Sequence, residues 1–543
     1  MTTANRNLPL LFWLSIITIA LTACGGGGGG SAPTPTDPGD TADTTAPALL
    51  SQTPAARLLK TDIAISIHFD ESIDTSSFTL SGNLATASDG GVWSQTDIID
   101  DTLTITPTTS WPVNTGRTLV INAKDLAGNA MTELTITHDV YLGTLYYVNT
   151  AMLDDTGNGE TPVTARKFIH TTVADVTAPA TLLVADGEYR LSSAAIHNTQ
   201  VVLKEGVSLY GGYNADFTQR DPATYISRIV DHSADAGTNT LPNRTIEGDA
   251  SITASTIVDG FSIQGSEQTG NDYSAAIVMI TGAAATIQNN TIHGGSGATQ
   301  SIGMYNHSSS PTVLNNTING GSSSSGSIGM MNFFSSPTVQ NNTLNGDNGG
   351  RSSTGMYNRT SSPTVLNNTI NAGSGNQSYG INNLIFSSPT VQDNTIDGGS
   401  GGDTSTGMVN SQSSPTVLNN MLSGGSGRQT FGMRNANSSS PTVQDNTING
   451  GSGDATSISI FNSSSASPDV QNNILLTRAG TGSRCYFELN DTTDPTALKN
   501  NQFVACDVLY RDEGITNIID IDEVNALADI GGGVSGNTYS ATP

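Results

Sequence analysis

Between residues 285 and 475 the apolar positions recur with a fixed step. Val313, Val339, Val365, Val391, Val417, Val443 and Val470 form one series. Met304, Met330, Met356, Ile381, Met408, Met433 and Ile460 form a second, and Ile318, Leu344, Ile370, Ile396, Leu422, Ile448 and Leu475 a third. The step is 26 residues, and Pro311, Pro337, Pro363, Pro389, Pro415 and Pro441 keep it, with Pro468 following 27 residues on. Three apolar side chains per repeat cannot enclose a core of their own, so each repeat must stack on the next. In the repeat that opens at Gly355, Met356, Val365 and Ile370 point inward from three short strands. Asn358 and Asn368 sit at bends, Pro363 opens the second strand where a missing N–H is tolerable, and residues 371–375 close the coil. The predicted object is a triangular coil stacked at ~4.8 Å per repeat.

Stacking also aligns polar residues. Asn316, Asn342, Asn368, Asn394, Asn420 and Asn446 fall in one file, and Asn306, Asn332, Asn358, Asn383, Asn410, Asn435 and Asn462 in another. An amide both donates and accepts, so each file is expected to form a hydrogen-bonded ladder. The residue after the inward valine alternates (Leu314, Gln340, Leu366, Gln392, Leu418, Gln444), which marks a duplicated two-coil unit.

Upstream the period changes. Ile63, Ile65, Ile67 and Phe69 alternate with polar or small residues, and Leu103/Ile105, Leu119/Ile121 and Leu134/Ile136 repeat the pattern between turns. That is the signature of a β-sandwich over residues 44–142. The phrases 67–74, 102–107 and 124–129 resemble the bacterial immunoglobulin-like domain of S-layer and surface proteins. Asp125 and Asn129 are expected to shape a turn. From residue 145 to 232, Tyr146-Tyr147-Val148-Asn149, 182–189 and Val207-Ser208-Leu209-Tyr210-Gly211-Gly212-Tyr213 resemble the entry section of right-handed parallel β-helix proteins, the pectate-lyase-like superfamily. The resemblance spans residues 145–510 and implies an all-β fold: a β-helix solenoid of 26-residue coils behind a small sandwich. Residues 511–543 are expected to form a cap with a flexible tail, the cap holding one short amphipathic helix over 520–528.

The chain opens with Arg6 and an apolar run from Leu8 to Leu21, too short for a comfortable membrane span and typical of an export signal. It ends Leu21-Thr22-Ala23-Cys24, which resembles a bacterial lipobox. The resemblance implies removal of residues 1–23, lipidation of Cys24 and an anchor in the cell outer membrane or at the cell surface. Residues 24–43, six glycines followed by a segment rich in Pro, Thr, Asp and Ala, then form a tether.

Charge narrows the partners. The net charge is −27, with only 20 basic residues, and from Thr286 to Ser467 there is neither Lys nor Glu. Nucleic acid is therefore not an expected partner, because phosphate contacts need a basic face. Cys485 and Cys506 carry no metal-site spacing; in an oxidising compartment a disulfide is the default, and free buried thiols the alternative.

Related β-helix lyases use a basic side chain beside carboxylate-held calcium, and related glycosidases use clustered Asp residues. Asp393, Asp397 and Asp445 are the candidates here. Asp393 and Asp445 stand two coils apart, ~9.6 Å, near the upper limit for an inverting carboxylate pair. Both also replace asparagine in a repeat slot, which needs no chemistry. Asp403 and Arg428 are expected to form a surface ion pair. Phe333, Phe334 and Phe386 are placed on turns, and His293 and His307 read as isolated. No cofactor or metal is expected; calcium would be the exception, and no motif supports it. The functional expectation is a non-catalytic, lipid-anchored β-helix stalk for adhesion or for interaction with a glycan or surface protein. An extracellular polysaccharide lyase or glycoside hydrolase is the alternative.

Overall fold

The structure, a computed structural model, describes residues 43–55, 57–191, 200–232, 242–267, 273–297, 299–478 and 482–542. The export signal, Cys24 and the tether to residue 42 lie outside the described residues. Among the described residues no helix is long and apolar enough to cross a membrane.

The first unit is a sandwich of two four-stranded sheets. One runs Leu49–Thr53, Ile65–Phe69, Thr102–Ile105 and Val92–Ser94; the other Leu58–Lys60, Leu134–Tyr141, Asn114–Asn122 and Thr79–Ser81. Ile65, Ile67, Leu103, Ile105, Leu119, Ile121 and Ile136 fill the space between them around Trp111. Ile63 departs from the alternation. It is half exposed, and its carbonyl accepts the Trp111 indole N–H at 2.7 Å, which fixes it in a turn ahead of the strand. Asp125 and Asn129 do close a turn: both carboxylate oxygens of Asp125 accept from Asn129, at 2.7 and 2.6 Å.

The rest is a parallel β-helix. Its three sheets hold 14, 13 and 16 strands among the described residues. The valine sheet runs from Thr144–Val148 to Val534–Ser535, the isoleucine sheet from Gly187–Leu191 to Thr538–Ser540, and the broad sheet from Val201–Val202 to Thr516–Ile518. Each strand pairs in register with its counterpart one coil away: Val339 with Val365, Leu344 with Ile370, Met330 with Met356. The three inward files merge into one core that extends from Val148 to Ile530. Gly355, beside Met356, shows how tightly the coils close: a Cβ there would lie 2.6 Å from an Ile370 methyl.

Two features differ from the pattern-based expectation. The strand carrying the inward methionine is long, 8 residues over Ser352–Arg359 and 12 over Ser400–Ser411, so Asn358 lies within it and the residues after 373 begin the next broad strand. Polar residues at alternate positions hid its length. The C-terminus also continues the helix: Val534–Ser535 pairs with Ala497–Lys499 and Thr538–Ser540 with Gln502–Val504, in place of a flexible tail. The cap helix is short, Ile521–Asn525, with Val524 buried and the Asp520 side chain accepting from the Asp522 N–H. An antiparallel hairpin, Val508–Asp512 with Thr516–Ile518, ends the broad sheet.

Both asparagine files are ladders. In the inner one, the Asn368 amide donates to the Val339 and Leu366 carbonyls at 2.9 Å and to Asn394 Oδ1 at 3.0 Å. Its own Oδ1 accepts the Asn342 backbone N–H at 2.8 Å. The same pattern runs through Asn316, Asn342, Asn394, Asn420 and Asn446 and on to Asn473, Asn501 and Asn537. The preceding residue of each Asn-Asn or Asp-Asn pair turns the corner in a left-handed conformation (φ 55° at Asn367), which Asn and Asp adopt more readily than other side-chain-bearing residues. The second file runs from Asn306 to Asn462 and ends on the Tyr486 hydroxyl at 2.6 Å. A serine ladder, Ser309 through Ser439, adds a third file that the sequence reading did not anticipate.

The sandwich is docked on the helix. Leu58 and Val113 pack against Leu183, Tyr210, Tyr213 and Phe217. Fully buried Asp259 pairs with Arg220 at 2.7 Å, and accepts from Gln288 at 2.7 Å and from Thr115 of the sandwich at 3.1 Å. The Arg220 guanidinium lies 5.7 Å from both the Tyr210 and Tyr213 ring centres.

Candidate functional site

The three sequence-level acids fall in different surroundings. Asp393 and Asp445 occupy the left-handed corner between the valine and isoleucine sheets, φ 57° and 59°. Asp393 Oδ1 accepts from Asn419 at 2.5 Å and its Oδ2 from Gln392 at 3.0 Å. Asp397 lies on the isoleucine sheet, its Oδ1 accepting from the Gly399 N–H at 2.6 Å. It lines a shallow groove of ≈ 830 Å³ with Asp347, Asn319, Asn371 and His293, a groove that Asp393 and Asp445 do not reach. Asp403 and Arg428 sit within broad-sheet strands, where a local shift of register parts them, and no ion pair joins them among the described residues. Cys485 and Cys506 are joined by a disulfide across the last coils.

Among the described residues, two side-chain groups gather enough ligand atoms for a cation: His68/Asp97/Asp101 and Asp43/Glu71/Asp125. Asp101 already accepts from the N–H groups of Thr96, Asp97 and Ile98 at 2.7 Å, and Asp125 from Asn129, so each has a complete structural role.

The outer face of the broad sheet has a different character. Side chains there alternate with the buried methionines and form continuous rows. One reads Tyr305, Met331, Tyr357, Asn382, Val409, Arg434, Phe461 and Phe487; its neighbour reads Ile302, Ile328, Thr354, Tyr379, Thr406, Phe431 and Ile458. Rings on this face meet in tilted or edge contacts, Tyr305–Phe333 at 6.0 Å, Phe333–Tyr357 at 5.8 Å, Phe431–Phe461 at 5.5 Å and Phe461–Phe487 at 5.1 Å, with Phe333 in the next row beside His307 and Arg359. Phe333 thus belongs to the sheet, where a turn was expected. His307 is not isolated either, since it packs on Tyr305, Phe333 and Phe334. Phe386 is exposed at a left-handed turn.

Within this face opens a cleft of ≈ 440 Å³. Tyr273, Phe333, Tyr357 and Tyr379 supply its rings, Gln300, Gln377 and Asn382 its amides; among the described residues none that lines it is acidic. Burial raises the Tyr357 and Tyr379 hydroxyls above their ordinary range, so both stay neutral donors in any physiological medium. Apolar ring faces thus lie beside convergent amide groups. Sequence reasoning missed these residues, although the signal was present. Tyr305 and Tyr357 each follow an inward methionine and stand one two-coil unit apart.

The far end of the broad sheet holds a buried acid. Glu488 takes the inward slot opposite Asn462 and accepts the Tyr510 hydroxyl at 2.6 Å. Burial, then a carboxyl–carboxyl hydrogen bond with Asp512, pushes its carboxyl up to about 9. An acid whose folded-state pKa is raised binds its proton more tightly when folded, so stability falls as pH rises from 4.5 toward about 9. Thermal melting is expected to drop across that window, and Glu488→Gln to flatten the profile; an unchanged slope would refute a proton held at Glu488.

The architecture is that of a parallel β-helix protein with an immunoglobulin-like N-terminal domain. Residues 43–140 match the family described as "Bacterial Ig-like domain", and residues 153–353 match "Protein of unknown function (DUF1565)". No curated protein matches the chain. Among solved structures, the chain is similar to XylC in complex with xylose at 9% identity and TM-score 0.33, covering 69% of this chain and 86% of that one. It is similar to the Yersinia enterocolitica Family 28 exopolygalacturonase at 11% identity and TM-score 0.22, covering 78% and 99%. The catalytic unit of a GH87 alpha-1,3-glucanase from Streptomyces thermodiastaticus gives 10% identity and TM-score 0.30, covering 88% and 87%. No activity passes to this chain through these likenesses.

Proposed function

We propose that this protein is a binding stalk of the bacterial surface, lipid-anchored through Cys24, whose broad-sheet face engages carbohydrate without turning it over. The observation that carries the reading is the cleft of Tyr273, Phe333, Tyr357 and Tyr379 with its three amide side chains. Sugars present apolar C–H faces to rings and hydroxyls to amides, and this cleft offers both. A stacked solenoid holds such a surface rigid, because each coil is fixed by its neighbours.

The test is a glycan array probed with the full chain, with reducing and unsaturated ends followed in parallel. Binding without product is the expected result. Tyr357→Ala with Tyr379→Ala should weaken retention at least about tenfold, a loss of ~1.4 kcal/mol, while circular dichroism stays unchanged. Product formation, above all product abolished by Asp393→Ala or Asp397→Ala, would establish the hydrolase or lyase alternative. Globomycin-sensitive processing and labelling with radioactive palmitate test the anchor; a Cys24→Ser protein that is still labelled would refute it.

A further inference from the structure

Resting on the lipid-anchor reading of Cys24, we infer that the end of the sandwich remote from the solenoid is a membrane-contact surface, fitted to zwitterionic lipid whose ammonium groups face outward. Strand direction defines that end. Strand Asn114–Asn122 starts at the solenoid, where Asn114 meets Gln288 and Thr115 meets Asp259. At ~3.3 Å per residue it finishes ~27 Å away. Strand Ile65–Phe69 of the facing sheet runs the same way. Trp111, just ahead of the first strand, donates its indole N–H to Ile63, just ahead of the second. Beyond both strands, Ile73 bridges to Asp125.

Three features meet at the remote end. The first is a set of apolar tips: Leu50, Ile98, Ile99 and Leu126 are 59%, 45%, 62% and 74% exposed. Their supports are tied to one another. Leu49 pairs with Phe69, and the Ile73 N–H donates to the Asp100 carbonyl at 3.1 Å. The isoleucine loop is also held outward, because buried Asp101 accepts the N–H groups of Thr96, Asp97 and Ile98 at 2.7 Å. The second feature is the place where the chain arrives. The Asp43 carbonyl accepts the Asn129 amide at 3.0 Å, so the segment that follows Cys24 reaches the sandwich beside Leu126. A segment with the composition and length of residues 25–42 spans ~25 Å. The third is charge. Residues 69–74, 97–101 and 122–130 hold seven carboxylates and one lysine, Lys124. Asp43, Asp70 and Asp97 are exposed among them.

Together these features select the lipid. Aliphatic side chains lower their free energy by entering the boundary between headgroups and acyl chains. Carboxylates around them favour the outward ammonium groups of phosphatidylethanolamine and are repelled by the negative potential of anionic lipid. Four partly exposed aliphatics are too few to hold a protein on a membrane unaided. A short tether raises their local concentration to about millimolar, so a weak contact becomes the resting state. The anchor then provides residence, and the contact provides orientation. The sandwich is mounted on the valine sheet through Leu183 and Tyr210, so this posture leaves the broad sheet, another face of the coil, uncovered.

The test uses the lipidated full chain in vesicles of phosphatidylethanolamine and phosphatidylcholine. Cys485 is joined to Cys506, so with Cys24 lipidated an introduced cysteine is the one free thiol. An environment-sensitive fluorophore on Ala127→Cys, beside Leu126, should be quenched roughly twofold by lipids spin-labelled near the headgroup. The same fluorophore on Gln429→Cys, on the broad sheet, should not respond. Replacing half of the neutral lipid with phosphatidylglycerol should reduce the quenching, and Ile99→Ser with Leu126→Ser should abolish it. Both side chains point away from the core, so melting should be unchanged; single Leu126→Ser is the second variant should the double one melt early. A label at Ala127→Cys that stays unquenched while the vesicles retain the protein would overturn this inference and leave the anchor standing. Quenching that grows with phosphatidylglycerol would overturn the choice of lipid. A chain that takes up no palmitate and is not retained by vesicles would overturn the anchor and this inference with it.

Discussion

Replacing Asn368 with alanine is expected to destabilise the protein by about 3–5 kcal/mol, since each buried polar group left unpaired costs ~1–3 kcal/mol. The amide donates to two carbonyls and to Asn394 Oδ1, and its oxygen accepts a backbone N–H from the coil before. Alanine leaves the Asn342 N–H without an acceptor in a file that water does not reach. Asn367, one residue earlier, is the internal contrast. It is solvated, it sits in the left-handed region, and Asn367→Ala should cost only the ~1–2 kcal/mol of that conformation. Urea unfolding measures both. Hydrogen exchange should show the damage confined to the coils around 342–394, because stacked repeats couple to nearest neighbours. Equal costs for the two variants would mean that the ladder contributes nothing beyond turn geometry.

The second large effect lies where the sandwich meets the helix. Asp259→Ala should cost about 3–5 kcal/mol, the range for breaking one side of a buried ion pair. It strands Arg220, which is almost fully buried between two tyrosine rings. It also removes the acceptor for Thr115, one of the side chains by which the sandwich is tied to the coil. The melting transition should therefore fall, and solution scattering should report a wider spread of angles between the two units. Changing both partners, Arg220→Leu with Asp259→Leu, should restore much of the stability, because no lone charge then remains in the interior. A single variant that melts like the parent would show that water already reaches this pair.

Legibility in the sequence followed the periodicity. Val365, Ile370 and Met356 were readable as core because each is an isolated apolar residue that returns at a constant step. The asparagine files were readable for the same reason. The broad strand was harder. Its outward rows mix Tyr, Met, Asn, Val and Arg, so no residue type holds the one-coil step along them, and the parity of positions relative to Met356 marks them as a surface. The Ser309–Ser439 file looked like turn composition, because serine beside proline is ordinary in turns. The paired asparagines hid a division of labour that only backbone angles reveal: the first bends the chain and the second bonds it. Asp393 and Asp445 are the bending member of that pair, which explains their place in the repeat without reference to catalysis.

The Asn306–Asn462 file has a direction. From Asn306 to Asn462 every amide gives its hydrogen to the oxygen of the following coil, so the group dipoles add head to tail, as in a one-way wire. Its first oxygen, on Asn306, meets no partner among the described residues, and its last hydrogen is received by Tyr486. A file of this kind can be lengthened by whole coils inserted anywhere inside it, yet it can be terminated only by an acceptor at one end. The solenoid's length is thus a quantity that duplication of whole coils can adjust in steps, while the tyrosine terminus stays as it is.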